Sequence, residues 1–503
     1  MALITAKTTY GTVKGIVLEN CTVFRGICYA KARRFMPPEQ PVSWQGVRVC
    51  GQFSPICPQN QITASTPFGD FFVKEFYPEQ KLMSEDSLCL NIWTSADSSQ
   101  QRQPVMVWFH GGGMSAGYGH EIEFDGECIA RREVILVTIN YRLGCLGYFT
   151  HPEISQNIAG GTANNAIRDQ QAALRWIQDN ISEFGGDPDN VTIFGQSAGG
   201  GSVVSHLCSP LSDGLFHRGI IQSGFGGINE YGRLTSQDTE KWSIACCEYL
   251  GKSAAELSTM PINELLAAFK TAEHYLGGIP KQVEDGFLFM EPPGKMIQRG
   301  SPKQVSLMVG SVAGDAIYPS HSNESLQMQE LRRRFGLRAD DFVKKYPLTD
   351  KQNKSIYEAL ERSRAWFQPL CFCIVQSKRT NCAYMYHFCP SVPGRNESGF
   401  VPDGEAFHSS ELWYVFGTLN RCWRHFDWRH DVLSNSMIGY WTNFARSGNP
   451  NGPGLPEWHA YSIDNQEQKY ATLVMTENEI SVQQLVDDDV WKLAAFKLFE
   501  ESD

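Results

Sequence analysis

At 503 residues, with 42% hydrophobic and 20% charged residues, the chain is long enough for a sizeable core and has the balance of a globular enzyme. A net charge of -11 and the lack of any Lys/Arg block argue against non-specific nucleic-acid binding. The longest apolar runs, such as Val134-Ile-Leu-Val137, are strand-length and far too short to cross a bilayer.

In chain order, Thr8–Leu18 and Cys21–Ala30 read as a hairpin around Glu19-Asn20. Pro104–Phe109 is a continuous apolar β run that ends in His110-Gly111-Gly112-Gly113, and Val134–Asn140 is a second one. A helix is expected from about Arg168 to Phe184, with Ala173, Leu174, Trp176 and Ile177 on its apolar side, stopping at Gly185-Gly186-Asp187-Pro188. Val191–Phe194 is a strand that runs into Gly195-Gln196-Ser197-Ala198-Gly199, and Gly219–Ser223 is the next. Residues 233–301 and 327–376 turn helical and less periodic, and read as excursions that cap a sheet. Ser306–Gly310 is a further β run with Asp315 just past its end. Pro402–His408 is a glycine-bearing loop leading into Ser409–Phe416, read as the start of an amphipathic helix. Alternating helices and fully apolar strands imply an α/β fold with a large, mostly parallel sheet covered on both faces. No repeat or linker divides the chain, so residues 1–503 are expected to form a single domain.

The segment around Ser197 carries the chemistry. A serine on a sharp strand-to-helix turn takes a strained backbone conformation, and glycines two before and two after it supply the room. Its hydroxyl then projects from the top of the sheet, and the next N–H opens a helix that favours negative charge. A serine hydroxyl is a weak nucleophile and needs a base, an orienting acid and donors for the oxyanion. The glycine run after Phe109 lets backbone N–H groups converge, so Gly112, Gly113 and Ala198 are the expected donors. Met114 and Tyr118 follow as candidate pocket lining, with ordinary packing the other reading. The order nucleophile, acid, histidine points to the histidines beyond residue 300: His321, His387, His408, His425, His430 and His459. His408, on a loop anchored by a following helix, is the candidate base, although spacing leaves a structural role open. Asp315 is the candidate acid, with a surface carboxylate as its alternative.

The fifteen cysteines are an odd number without zinc-site spacing; neither Cys371 and Cys373 nor Cys246 and Cys247 resemble one. Met1-Ala-Leu-Ile-Thr-Ala-Lys7 reads as lacking a secretion signal, so reduced thiols and a cytoplasmic location are expected. Neither a metal nor a cofactor is expected.

Nearly end to end, the chain resembles the type-B carboxylesterases of the cholinesterase and carboxylesterase family, which are α/β-hydrolases. The resemblance rests on Phe24–Ala30, Ser84–Asn91, His110–Gly113, Asn140–Gly144, Phe184–Pro188, Gly195–Gly199 and Gln222–Gly224, in that order. It implies Ser197 as nucleophile, His408 as general base and Asp315 as triad acid, at a position where the family usually has Glu. It implies Ser223 as a supporting serine beside acid and base. Arg34 with Glu85, and Arg142 with Asp169, fall at the family's structural ion pairs. Ser87 stands where the family usually has a cysteine bridged to the Cys57 position. Cys89, on the same strand face roughly 6–7 Å from Ser87, is near the reach of an alternative bridge. Phe68, Phe71, Phe72, Phe76 and Tyr77 fill the segment in which choline-binding relatives carry a cation-holding tryptophan. Gln196 replaces a glutamate common in cholinesterases. These departures point to the bacterial, para-nitrobenzyl-esterase-like branch and to a serine carboxylesterase acting on small to medium esters. The alternatives are a lipase, feruloyl esterase or thioesterase, and a non-catalytic binding or adhesion member of the same fold.

Overall fold

The computed structural model describes residues 2–224, 234–300, 302–315, 340, 369–377, 382–394, 403–462, 464–465 and 471–484. Among these, eleven strands form the main sheet: β1 Ile16–Val17, β2 Thr22–Cys28, β3 Cys89–Thr94, β4 Gln103–Phe109, β5 Ile135–Ile139, β6 Gly186–Gln196, β7 Arg218–Gln222, β8 Ser306–Val312, β9 Ala383–Phe388, β10 Ala471–Met475 and β11 Ile480–Gln484. Their order across the sheet is β11-β10-β9-β8-β7-β6-β4-β5-β3-β2-β1. From β5 through β10 the neighbours run parallel, and the strands at either edge are antiparallel.

Side-chain alternation explains why the central strands read as continuous apolar runs. Val105, Val107 and Phe109 of β4 pack into one hydrophobic layer with Leu174, Trp176 and Ile177 of the helix Asn165–Asn180. Met106 and Trp108 face a second layer containing Trp441 and Phe444 of the helix Trp428–Ser447. Both faces are therefore covered, and every residue of β4 is buried. The first helix ends in a 3-10 turn at Ile181–Phe184, closed by Gly185 at φ 80°, as its glycine stop implies.

The N-terminal hairpin differs from expectation. Ile16–Val17 does pair with Thr22–Val23, but Gly11–Lys14 joins Thr5–Thr8 and Val47–Val49 in a separate three-stranded sheet. The break falls at Gly15, where a Cβ would overlap Thr22 and the Val23 carbonyl. The expected helical character of 233–301 is found as helices Ser236–Leu250, Ala254–Thr259, Ile262–Leu276 and Pro293–Gln298. Most of 327–376 lies outside the described residues; residue 340 and residues 369–377 are helical. The segment after His408 holds a short helix, Leu412–Val415, buried on all sides rather than amphipathic. It is covered by the helix Trp428–Ser447.

Candidate active site

β6 runs to Gln196, and Ser197 turns the chain at φ 55°, ψ -124° into the helix Ala198–Cys208. That left-handed backbone is strained for any residue with a Cβ. It is held by Ser197 N–H donating to the Gln222 carbonyl (2.9 Å) and by Gly201 N–H closing onto the Ser197 carbonyl (3.0 Å). The flanking glycines are steric necessities. A Cβ on Gly199 would overlap the Phe109 carbonyl, and one on Gly195 the Gly199 backbone. Ser197 sits at the helix N-terminus, partly exposed, and its hydroxyl makes no hydrogen bond among the described residues.

Two distant segments meet beside this elbow. Beyond β8, Gly314 bridges to Phe407; its N–H donates to the Ala406 carbonyl (2.8 Å), and His408 N–H donates back to the Gly314 carbonyl (3.1 Å). This stitch brings His408 Nδ1 to 2.5 Å from Asp315 Oδ1, with both side chains less than a tenth exposed. The carboxylate can only accept, so Nδ1 carries the proton and Nε2 keeps its lone pair. Gln196 Nε2 lies 3.2 Å from that lone pair, and Gln196 Oε1 accepts from the Ser409 hydroxyl (3.1 Å).

The glycine loop follows β4. His110 anchors it: the ring stacks on Tyr141 at 4.3 Å, Nδ1–H donates to the Gly111 carbonyl (2.9 Å), and the His110 carbonyl accepts from the Tyr141 hydroxyl (2.6 Å). Burial pushes the His110 imidazole down to about 4, so it holds the loop as a neutral ring. Gly112 and Gly113 take φ of 98° and 63°, and a Cβ added to Gly111 would come within 3.3 Å of Ser197 Cβ. Among the described residues the N–H groups of Gly112, Gly113 and Ala198 donate to nothing, which leaves three donors beside the elbow. Lys281, from the helical excursion, reaches the Gly113 carbonyl (3.0 Å) and the Ser115 hydroxyl (2.5 Å) from outside. Nothing in the sequence around Lys281 signals this tether.

Arg142 and Asp169 form a buried two-pronged pair at 2.7 Å on each prong, and Arg142 also caps the Met36 carbonyl. Arg34 grips Glu85 through Nε (2.9 Å) and Nη2 (2.5 Å). Ser223 follows β7 at φ 47°, with its hydroxyl buried and without a hydrogen-bond partner among the described residues, so it bonds to neither Asp315 nor His408. Met114 packs into the core, and Tyr118 lines a cavity of about 220 Å³ that includes none of Ser197, Asp315 and His408. Phe68, Phe71 and Phe72 cluster on the helix Pro67–Glu75 with Phe76 at its C-cap, and Phe71 meets Phe407 edge-on at 5.1 Å, next to His408. Glu75, at the end of that helix, accepts from Trp413 Nε1 (3.3 Å), Trp423 Nε1 (2.8 Å) and Arg424 Nε (3.0 Å). This buried hub was not visible in the sequence. Cys89 does not approach Cys57: its sulfur lies 3.4 Å from Cys28, while the Cys57 thiol turns to the Pro58 carbonyl.

Residues 3–490 match the model of the "Carboxylesterase family". The chain is 31% identical over 502 residues to the para-nitrobenzyl esterase of Bacillus subtilis (strain 168), covering 95% of each chain. It is 32% identical to the human cocaine esterase over 90% of this chain and 83% of that one. Among solved structures it resembles a thermophilic para-nitrobenzyl esterase (TM-score 0.81, 30% identity, 98% and 99% of the two chains). It also resembles a carboxylesterase of Geobacillus stearothermophilus (TM-score 0.78, 29% identity, 95% and 98%).

Proposed function

The chain belongs to the carboxylesterase family and is a serine carboxylesterase of the α/β-hydrolase fold, and on that premise we propose that Ser197, His408 and Asp315 carry its reaction. His408 takes the Ser197 proton through Nε2 while the hydroxyl attacks the ester carbonyl. Asp315 fixes the tautomer through Nδ1 and steadies the imidazolium. Gly112, Gly113 and Ala198 N–H groups hold the oxyanion, the alcohol leaves with the proton from His408, and water repeats the sequence on the acyl-enzyme. The observation that carries this reading is the 2.5 Å contact between His408 and Asp315 beside a serine on a strained elbow.

Small to medium neutral esters suit the site: Gln196 brings no charge, and the segment opposite His408 offers phenylalanines. The whole chain is read as one domain with helical excursions, acting in the cytoplasm. None of the fifteen cysteines is in a disulfide, which supports a reducing compartment.

The test is Ser197→Ala, assayed with an aryl acetate and a fluorophosphonate probe. Wild type should hydrolyse the ester and take up one label. The variant should fold, do neither, and show no acylation burst. Labelling that survives the substitution would place the nucleophile elsewhere.

A further inference from the structure

Cys28 ends β2 and Cys89 opens β3, and the two are direct cross-strand neighbours in an antiparallel pair. The ladder bond beside them runs from Tyr29 N–H to the Leu88 carbonyl, which makes Cys28 and Cys89 a non-hydrogen-bonded pair. Such pairs hold their Cα atoms about 4.5 Å apart, at the short end of the roughly 4.4–6.8 Å that a disulfide accepts. The sulfurs lie 3.4 Å apart with one thiol hydrogen between them. Cys28 is partly exposed and Cys89 is buried. The two are chemically unequal: the hydrogen bond from Cys89, with Lys31 beyond, brings the Cys28 thiol down to about 7, while Cys89 is held well up. One accessible, thiolate-prone sulfur thus faces one sheltered thiol, the arrangement of an attacking and a resolving cysteine.

We propose that Cys28 and Cys89 are a redox-modifiable site that closes to a cross-strand disulfide in response to low-molecular-weight disulfides. The Cys28 thiolate attacks one sulfur of the small disulfide, expelling one thiolate and leaving a mixed disulfide on Cys28. Cys89 loses its proton to water, attacks the Cys28 sulfur and expels the second thiolate. Two protein thiols give up two electrons and two protons, and the small disulfide becomes two thiols. A bond across so short a pair is strained and readily reduced, which fits a transient bridge in a reducing compartment.

The test exposes the reduced full chain to excess glutathione disulfide, then quenches, alkylates and digests with trypsin. Cys28 lies on the peptide Gly26–Lys31 and Cys89 on Leu82–Arg102, each the single cysteine of its peptide. Wild type should yield these two linked to each other, and dithiothreitol should separate them. In Cys89→Ser, Cys28 should keep one glutathionyl group; in Cys28→Ser, Cys89 should remain unmodified. The exposed Cys382 reports that the reagent is active. If Cys382 is glutathionylated while both peptides are recovered alkylated, or if wild-type Cys28 retains its glutathionyl group unresolved, the proposal is overturned.

Discussion

The Gln196 side-chain amide occupies the one His408 nitrogen that Asp315 leaves free, with 3.2 Å between Gln196 Nε2 and His408 Nε2. In the proposed mechanism that same lone pair must take the proton of Ser197. The unliganded site is therefore held by an N–H donor that the serine has to displace or share, and catalytic hydrogen bonds often tighten only when substrate is bound.

Replacing this donor with an acceptor reverses the electrostatics. In Gln196→Glu a carboxylate faces Nε2 and favours the imidazolium, so the acid limb of the kcat/KM profile should move to higher pH by about one unit or more. The plateau above it should stay within about tenfold of wild type, since the elbow and donors are untouched. Gln196→Met, which neither donates nor accepts, serves as the packing control and should move the limb less. A glutamate variant whose limb stays put or moves to lower pH would show that Gln196 does not act on the base.

The two loop glycines should respond differently to the same methyl group. At Gly112 an alanine Cβ would overlap the Ala116 carbonyl, a backbone atom, so the loop itself must shift. At Gly113 a Cβ meets nothing within 4 Å, and only the φ of 63° opposes it, at roughly 1–2 kcal/mol. Gly112→Ala should lose about 10²-fold or more in kcat, the scale of one donor lost from the proposed oxyanion hole. Gly113→Ala should remain within about tenfold. Steady-state kinetics on one aryl ester decide this, and equal losses would mean that the crowding at Ala116 does not govern the loop.

Ser197 was legible in the sequence because its strain is local: the elbow needs glycines at fixed offsets, and they are written beside it. The strand cores were legible for a similar reason, since burial on both faces leaves continuous apolar runs. His408 and Asp315 were ambiguous from spacing and were identified by family resemblance. They are 93 residues apart and meet through the Gly314–Phe407 bridge, a pairing with no local signature. The same holds for Lys281 on the glycine loop, Cys28 opposite Cys89, and Glu75 beneath Trp423 and Arg424. The N-terminal hairpin was half right because alternation marks a strand but not its partner.

The Glu75–Arg424 pair should be a point of fragility. Both side chains are almost wholly buried, at 1% and 3% exposure, and Arg424 also caps the Pro393 carbonyl. Removing one partner of a buried pair leaves the other charge uncompensated, at about 3–5 kcal/mol. Arg424→Leu should therefore lower the unfolding free energy in urea by that amount. It should also reduce kcat, because Glu75 ties the helix beneath Phe71 to the segment that follows His408. A loss below about 1 kcal/mol, as for an exposed pair, would contradict the buried-hub description.

The pH dependence of stability should carry a signature of Glu411. This carboxyl lies three residues beyond His408, fully buried, with one oxygen 3.5 Å from the Gln222 amide and the other without a partner among the described residues. Burial, and secondarily the charge of Asp315, push it up to about 8. An unfolded glutamate titrates near ~4.3, so between these values the folded chain holds a proton that the unfolded chain has lost. The stabilisation is therefore complete at the acid end and falls away as pH rises through about 8, by an amount on the order of a few kcal/mol. Glu411→Gln keeps the side-chain shape and an acceptor for Gln222 but has no proton to lose. Urea midpoints of both proteins, taken from about pH 5 to 9, should start close together and diverge, with the variant increasingly the more stable. Glu121 is also buried, and it is raised to about 8 by that burial, so both curves will slope. The growing difference between them is what belongs to Glu411. Curves that run parallel over the whole range would mean that Glu411 keeps the same proton occupancy in the folded and unfolded chains.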